Sequence, residues 1–484
     1  MTMTDGLFID GKRPGSSESR EIRSPFSGDV VAVCPQATAA QLEAALAAAH
    51  AAANPFRRLS RYTRSRLLAL MAAGLSERRA ELADVIVAEA GKPWTLSDAE
   101  VGRAISTFTI ASEEAKRLGG EVVPVDVEAA GRAYGPAVSH WTPRGPVLAI
   151  APFNFPLNLV AHKVAPALAV GAPVLLKPPP QAPGAAQILS EIFQKAAAEA
   201  SDASEKVPLA ALQIVNASND VIGAAVTDPR VAILSFTGSD KVGWLLQGKA
   251  VRKKVILELG GNAAVIVAKD ADLARAAARC AFGGFAYAGQ ICISVQRVLV
   301  HKSVAARFTE LFIEETKKLG VGDPASKTTV VGPMIDSAQA DRILNWIDEA
   351  KKDGAKVILG GVRSGPAIEP TILANVRPTA KLSCEEAFGP VVVIEEFDAF
   401  DDAIASVNRS RFGLQAGLFT DSEACVRAAT NELEVGGLIV NEVPTYRADN
   451  MPYGGVKDSG LGREGVRYTM EEFCERRTVV HWRG

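Results

Sequence analysis

From residue 145 onward, short apolar runs alternate with helical patterns, and no other feature of the chain restricts its fold as much. The runs lie at 146–151, 173–176, 212–215, 231–236 and 254–259, with helical stretches near 157–170, 184–200, 219–226 and 239–250 between them. Strands apolar on both faces and separated by helices are what a parallel sheet covered by helices on both sides requires. The pattern therefore predicts an α/β chain whose central unit is a Rossmann-like, dinucleotide-binding sheet. Beyond residue 260 the alternation resumes, with strands at 264–267, 297–300, 355–359 and 391–396 and helices from about 272 and at 303–319. This predicts a second α/β unit, and the cleft between two such units is the default place for a ligand.

Upstream, residues 20–34 carry short β-like pieces around Pro25-Phe26-Ser27-Gly28. Three helices are then expected at 38–54, 63–90 and 96–118, with Gly91 and the pair Gly119-Gly120 as stop signals. Residues 121–140 alternate like a strand excursion from this helical body.

A chain of 484 residues that is 48% hydrophobic is too long for one simple core and holds ample apolar material for two or three. Its net charge of −2 argues against a nucleic-acid surface or a polybasic membrane anchor. The longest apolar stretch, 146–176, is interrupted by Asn154, Asn158, His162, Lys163 and several prolines, so it does not read as a membrane span. The first residues lack the basic and apolar regions of a signal peptide. Six cysteines, at 34, 280, 292, 384, 425 and 474, show neither metal-ligand spacing nor a dense framework. With only five histidines beside them, the expectation is no bound metal, no disulfide scaffold and a cytoplasmic location.

The chemistry concentrates in two stretches. Lys254-Val255-Ile256-Leu257-Glu258-Leu259-Gly260-Gly261-Asn262 is an apolar run ending in a carboxylate and a Gly-Gly turn. Gly289-Gln290-Ile291-Cys292 places a cysteine in a glycine-flanked loop 34 positions after Glu258. A cysteine thiolate is the strongest common side-chain nucleophile near neutral pH, and a carboxylate beside it can activate the thiol or a water that attacks a thioester. Taken alone, the same residues also suit a strand end and a packing cysteine. No G-x-G-x-x-G follows the first strand of the central sheet, so the usual dinucleotide fingerprint is missing. Phe236-Thr237-Gly238-Ser239 instead ends a strand and opens a helix, where backbone amides and the Ser239 hydroxyl suit a pyrophosphate; an ordinary N-cap is the alternative.

These two stretches resemble the signatures of the aldehyde dehydrogenase superfamily, in that family's order and approximate separation, and further matches run along almost the whole chain. The resemblance implies that Cys292 is the nucleophile and Glu258 the base that activates a hydrolytic water. It also makes Asn154, in Pro152-Phe153-Asn154-Phe155-Pro156, a donor to the oxyanion together with the Cys292 backbone N–H. A developing alkoxide calls for a fixed neutral donor of this kind. The family's tryptophan is Phe153 here, a departure that touches cofactor contacts more than the chemistry. By the same resemblance Gly238 and Ser239 contact the dinucleotide phosphates, Glu386 of Glu386-Ala387-Phe388-Gly389-Pro390 bonds the nicotinamide ribose, and Phe388 borders the ring. Lys177 stands where the family's lysine bonds the adenosine ribose. Three residues on, where many NAD-specific members carry a glutamate, this chain has Pro180; with no carboxylate to repel a 2′-phosphate, either NAD or NADP can serve. The stretch 452–465 matches the family motif that follows the loop closing the aldehyde entrance. Arg447 in that loop and Arg103 on the third helix suit an anionic substrate tail, with a solvated surface position as the alternative for each.

The resemblance thus implies an NAD(P)-dependent dehydrogenase oxidising a small polar aldehyde, such as lactaldehyde, a glyceraldehyde-type substrate or succinic semialdehyde. A coenzyme A-acylating enzyme and a non-catalytic relative are the competing classes. The first commonly lacks the glutamate found at 258, and the second is expected to lose Cys292, Asn154 or Glu258. The expected organisation is a dinucleotide-binding domain from 1–120 and 141–258, a catalytic domain at 259–464, and oligomerisation strands at 121–140 and 465–484, giving a homodimer or homotetramer.

Overall fold

The computed structural model describes residues 2–3 and 6–483, and two seven-stranded sheets flanked by helices dominate it. The first sheet runs in the order Leu7–Phe8, Leu212–Val215, Val174–Lys177, Val147–Ile150, Ile233–Thr237, Lys254–Glu258, Gly460–Leu461. Its five central strands are parallel and its two edge pairings antiparallel. Every residue of Val147–Ile150, Val174–Lys177 and Leu212–Val215 is buried, which is why these runs show no polar alternation. The helix Asn158–Val170 is buried along its whole length and packs against these strands, carrying His162 and Lys163 into the interior.

The strand order reverses where Val147–Ile150 pairs with Ile233–Thr237, and at such a switch point a crevice opens at the carboxyl ends of the strands. The loops leaving those two ends carry Asn154, Gly238 and Ser239, and Glu258 is the last residue of the adjoining strand. Gly460–Leu461 pairs with the far side of that strand, bringing the 452–465 motif beside Glu258. Those two residues therefore lie on the first sheet rather than with the second unit.

The second sheet runs Lys356–Leu359, Thr371–Ala374, Val391–Phe397, Arg297–His301, Ala264–Val267, Gln415–Phe419, Gly437–Val440, and only its first pair is antiparallel. A smaller antiparallel sheet joins Cys474–Val479, Ala137–Pro143 and Val122–Val123. The α/β expectation, with a Rossmann-like parallel sheet, holds.

Two local expectations do not. The stretch 63–90 is two helices, Arg61–Glu77 and Arg79–Ala90, broken at Arg78, whose φ of −104° and ψ of 22° leave the helical region. Arg78 spans the break by pairing with both Glu81 and Glu191, a tertiary contact that periodicity does not reveal. Residues 465–484 are not all strand either: Val466–Glu472 is a helix, with Val466, Met470 and the following Phe473 buried in the core of the first unit. Among the described residues, no helix is long and apolar enough to cross a membrane, and no group of three or more His, Cys, Asp or Glu side chains could hold a metal ion.

Candidate active site

Cys292 is presented by a turn that the sequence forces into an unusual path. Tyr287, Ala288 and Gly289 all have positive φ, at 53°, 53° and 67°. Gly289 is obligatory in this turn, because a Cβ there would lie 2.2 Å from the Gly389 carbonyl oxygen. The two non-glycine residues are strained, and the surrounding contacts hold them. The Tyr287 hydroxyl donates to the Ala90 carbonyl at 3.0 Å, while the Gln290 amide donates to Pro333 and its carbonyl accepts from the Ile335 N–H. Cys292 as a whole is half-buried, yet its sulfur sits deep enough that burial pushes the thiol up to about 11; a contact with the Tyr453 hydroxyl at 3.2 Å works in the opposite direction.

Asn154 lies across from this turn and donates through Nδ2 to the Gln290 carbonyl at 2.9 Å. Its own carbonyl accepts from Lys92 Nζ at 3.1 Å. Lys92 is fully buried, paired with Glu100 at 2.6 Å and set over the Phe155 ring. Glu100 in turn accepts from the backbone N–H groups of Leu157 and Asn158, at 2.9 and 3.0 Å, at the start of the buried helix. One ion pair therefore fixes both ends of the Asn154 loop.

Glu258 is buried, and neither of its carboxylate oxygens has a hydrogen-bond partner. Burial, then the charge of Glu464, holds its pKa well above the usual carboxylate range. Glu464 moves the other way: although burial opposes ionisation, Lys163 at 3.0 Å and Arg447 at 3.2 Å keep it below that range. Two neighbouring carboxyls driven apart in this way are suited to different duties.

Asn154, Glu258, Cys292, Gly238, Glu386 and Phe388 line one cavity of about 770 Å³, and Phe153 and Ser239 border it as well. Phe153 and Phe388 meet edge to face, with centroids 6.0 Å apart. Glu386 accepts from the Gly261 N–H at 3.1 Å, and burial raises its carboxyl to about 7. Ser239 occupies the N-cap position of Asp240–Lys249, but its side chain makes no capping hydrogen bond. Arg411 closes the rim by pairing with Asp240 and Glu385. Lys177 and Pro180 line a separate narrow cleft with Gln36 and Asn216. Burial, and then the charge of Arg20, lowers the Lys177 ammonium to about 8. A larger open hollow of about 1230 Å³, between Lys302, Lys356 and Arg409, contains none of these groups.

The residues fit a dinucleotide. A helix N-terminus with a free-standing serine, a buried Thr237 hydroxyl without a partner, and a carboxylate beside an aromatic pair are suited in turn to phosphate, ribose and ring.

The two arginines differ from a solvated surface position. Arg447 is buried, lies 3.8 Å over the Tyr453 ring, and has an Nε without a partner. Arg103 is part-buried and pairs with Asp449 at 2.7 Å; Asp449 also accepts from His162, whose neutral ring burial keeps near 4. Sequence reading misses Lys92 and Glu100, whose only signal is a lysine wedged between Gly91 and Pro93. It also assigns no role to Tyr453, Lys163 or Glu464.

The sequence pattern described as "Aldehyde dehydrogenase family" matches residues 12–479. The chain is similar to the 3-sulfolactaldehyde dehydrogenase of Priestia aryabhattai, with 42% identity over 477 residues, 98% of this chain and 97% of that protein. Among solved structures it is similar to aldehyde dehydrogenase 21 of Physcomitrella patens in complex with the reaction product succinate, with 39% identity, a TM-score of 0.95 and coverage of 99% and 98% of the two chains. It is also similar to a glyceraldehyde-3-phosphate dehydrogenase of Methanocaldococcus jannaschii complexed with NADP, with 36% identity, a TM-score of 0.91 and coverage of 96% and 100%.

Proposed function

The chain belongs to the aldehyde dehydrogenase family, and on that premise we propose that it oxidises a small aldehyde with an acidic tail to the corresponding carboxylic acid, using NAD or NADP. The observation that carries this reading is one cavity shared by Cys292, Asn154 and the unpartnered Glu258, with the buried Arg447 guanidinium behind Tyr453.

In this mechanism the Cys292 thiolate adds to the aldehyde carbon, and the carbonyl electron pair moves onto oxygen. The Asn154 amide and the Cys292 backbone N–H hold that oxyanion. A nicotinamide held in this cavity would supply the hydride acceptor, and Cys292 would then carry the acyl group as a thioester. Glu258 takes a proton from water as the water attacks this thioester, and collapse of the adduct releases the acid and the Cys292 sulfur. Phe153 and Phe388 would frame its ring, Glu386 would hold the neighbouring ribose, and Gly238 with Ser239 would receive the phosphates.

Arg447, with an unused Nε, is the proposed partner of the substrate's anionic tail, and Arg103, paired with Asp449, is a second candidate for that role. The sulfonated, carboxylated and phosphorylated compounds in the names of the three related proteins support that choice. Pro180, in the cleft with Lys177, offers no carboxylate against a 2′-phosphate, which supports acceptance of NADP.

The test is the initial rate of cofactor reduction on sulfonated, carboxylated, phosphorylated and neutral small aldehydes, with NAD and NADP tried separately and coenzyme A omitted. Turnover on anionic substrates at kcat/KM at least tenfold above neutral ones is expected. Equal rates on both would remove Arg447 from the scheme, and turnover only with coenzyme A would favour the acylating class. Exposed apolar residues on the small sheet support a homodimer or homotetramer, as expected from 121–140 and the C-terminal strand.

A further inference from the structure

Tyr453 is the residue whose chemistry the scheme above does not use. It is buried in a small apolar cluster with Ile293 and Leu414. Its backbone is pinned by reciprocal hydrogen bonds with Glu464, at 2.9 and 2.7 Å, and its ring is pinned by Arg447 at 3.8 Å. A phenylalanine would fill the same space, so packing alone does not account for the hydroxyl. A hydroxyl buried among apolar side chains costs free energy unless it is hydrogen-bonded. This one meets Cys292 Sγ at 3.2 Å.

We propose that Tyr453 is a catalytic residue that donates its phenolic hydrogen to the Cys292 thiolate, stabilising the nucleophile before attack and the leaving sulfur when the thioester is hydrolysed. The argument turns on which atom can donate. With the thiol protonated, either oxygen or sulfur can supply the hydrogen. Once the thiolate forms, sulfur has none, so the phenol must donate, and the bond becomes charge-assisted and stronger. The contact therefore favours the ionised form and opposes the upward push of burial. The other charged groups facing the sulfur are Glu258 and Glu386, which oppose ionisation, and Arg447, which favours it. Arg447 also lies against the Tyr453 ring, where its charge favours release of hydrogen toward the sulfur. The same contact serves twice, because the sulfur regains its negative charge when the acid departs.

The inference rests on Cys292 being the nucleophile, and the experiment separates the two claims. Cys292 in the full chain is alkylated with iodoacetamide across a pH series, with its modification followed by peptide mass and turnover measured in parallel. In this step the sulfur–carbon bond forms, iodide leaves and the thiol proton passes to solvent. For Tyr453→Phe the midpoint of the rate profile should rise by about one pH unit, with alkylation about tenfold slower below it. An unshifted midpoint, with turnover still lost on alkylation, overturns the role of Tyr453 alone. Turnover that survives complete alkylation of Cys292 overturns the nucleophile assignment and this inference with it. If Tyr453→Phe does not fold, the wild-type chain is titrated by ultraviolet difference against Cys292→Ala. Thiolate absorbance appearing before any tyrosinate supports the donation, and tyrosinate appearing first overturns it.

Discussion

With both oxygens of Glu258 buried and unpartnered, its carboxyl keeps its proton to a pH at which an ordinary glutamate has long ionised. A folded-state pKa above the unfolded one means that the native chain binds this proton more tightly. The stability this lends is complete below the ordinary carboxylate pKa and is lost as pH rises through the raised value. Glutamine has nothing to ionise, so Glu258→Gln should melt about 2 °C above wild type at about pH 8 and level with it at about pH 4, by calorimetry. Removing the base should also leave one burst of reduced cofactor per site, followed by turnover slowed about 100-fold. Melting below wild type at high pH would refute the buried, proton-retaining carboxyl. At the cofactor's other end, Pro180→Glu places a carboxylate in the cleft that holds Lys177. Repulsion of a 2′-phosphate should raise the KM for NADP about tenfold and leave that for NAD nearly unchanged, as initial rates would show. Glu258, Cys292 and Asn154 are legible in the sequence because each sits in a contiguous motif. Lys92 and Tyr453 are not, because their meaning lies in partners 62 and 161 residues away.

At the scale of elements, the alternation of buried strands and helices is legible wherever burial on both faces erases polar spacing, as in Val147–Ile150 and Val174–Lys177. The break at Arg78 is not, since arginine is an ordinary helix residue and only its reach to Glu81 and Glu191 marks the corner. Nor is Val466–Glu472, a seven-residue helix too short to establish a period. The element that matters most to the chemistry is the loop 152–156, tied to the helix Trp94–Arg117 by the buried Lys92–Glu100 pair. Lys92→Met keeps the bulk and strands the Glu100 charge in the interior, so it should cost about 3–5 kcal/mol in denaturant unfolding. Turnover should fall as the Asn154 carbonyl loses its anchor. Adding Glu100→Gln removes the stranded charge while retaining an acceptor for the Leu157 and Asn158 N–H groups, and should recover part of the stability. No recovery in the double variant would show that the pair acts through something other than charge.

For the whole molecule, the small antiparallel sheet stands apart from the two large ones and carries exposed apolar residues. It pairs Cys474–Val479, near the C-terminus, with Ala137–Pro143, which lies between the N-terminal helices and the first large sheet. Around it Val122, Val127 and Trp482 are 69%, 81% and 71% exposed. Single exposed apolar residues are common on any surface, but several around one sheet favour contact with another molecule. The adjoining backbone supports the same reading, because sheet edges left unpaired recruit further strands. A second copy of the chain is the simplest partner, since closed symmetric assemblies are the commonest for soluble proteins. The full-length chain should therefore run in light scattering at two or four times the monomer mass. Trp482→Ser removes the largest exposed apolar side chain of the group and should shift the population toward monomer at micromolar concentration, with the fold intact by circular dichroism. A wild-type chain that stays monomeric across that range would leave the small sheet as a clasp that ties the C-terminal strand to residues 137–143 and nothing more.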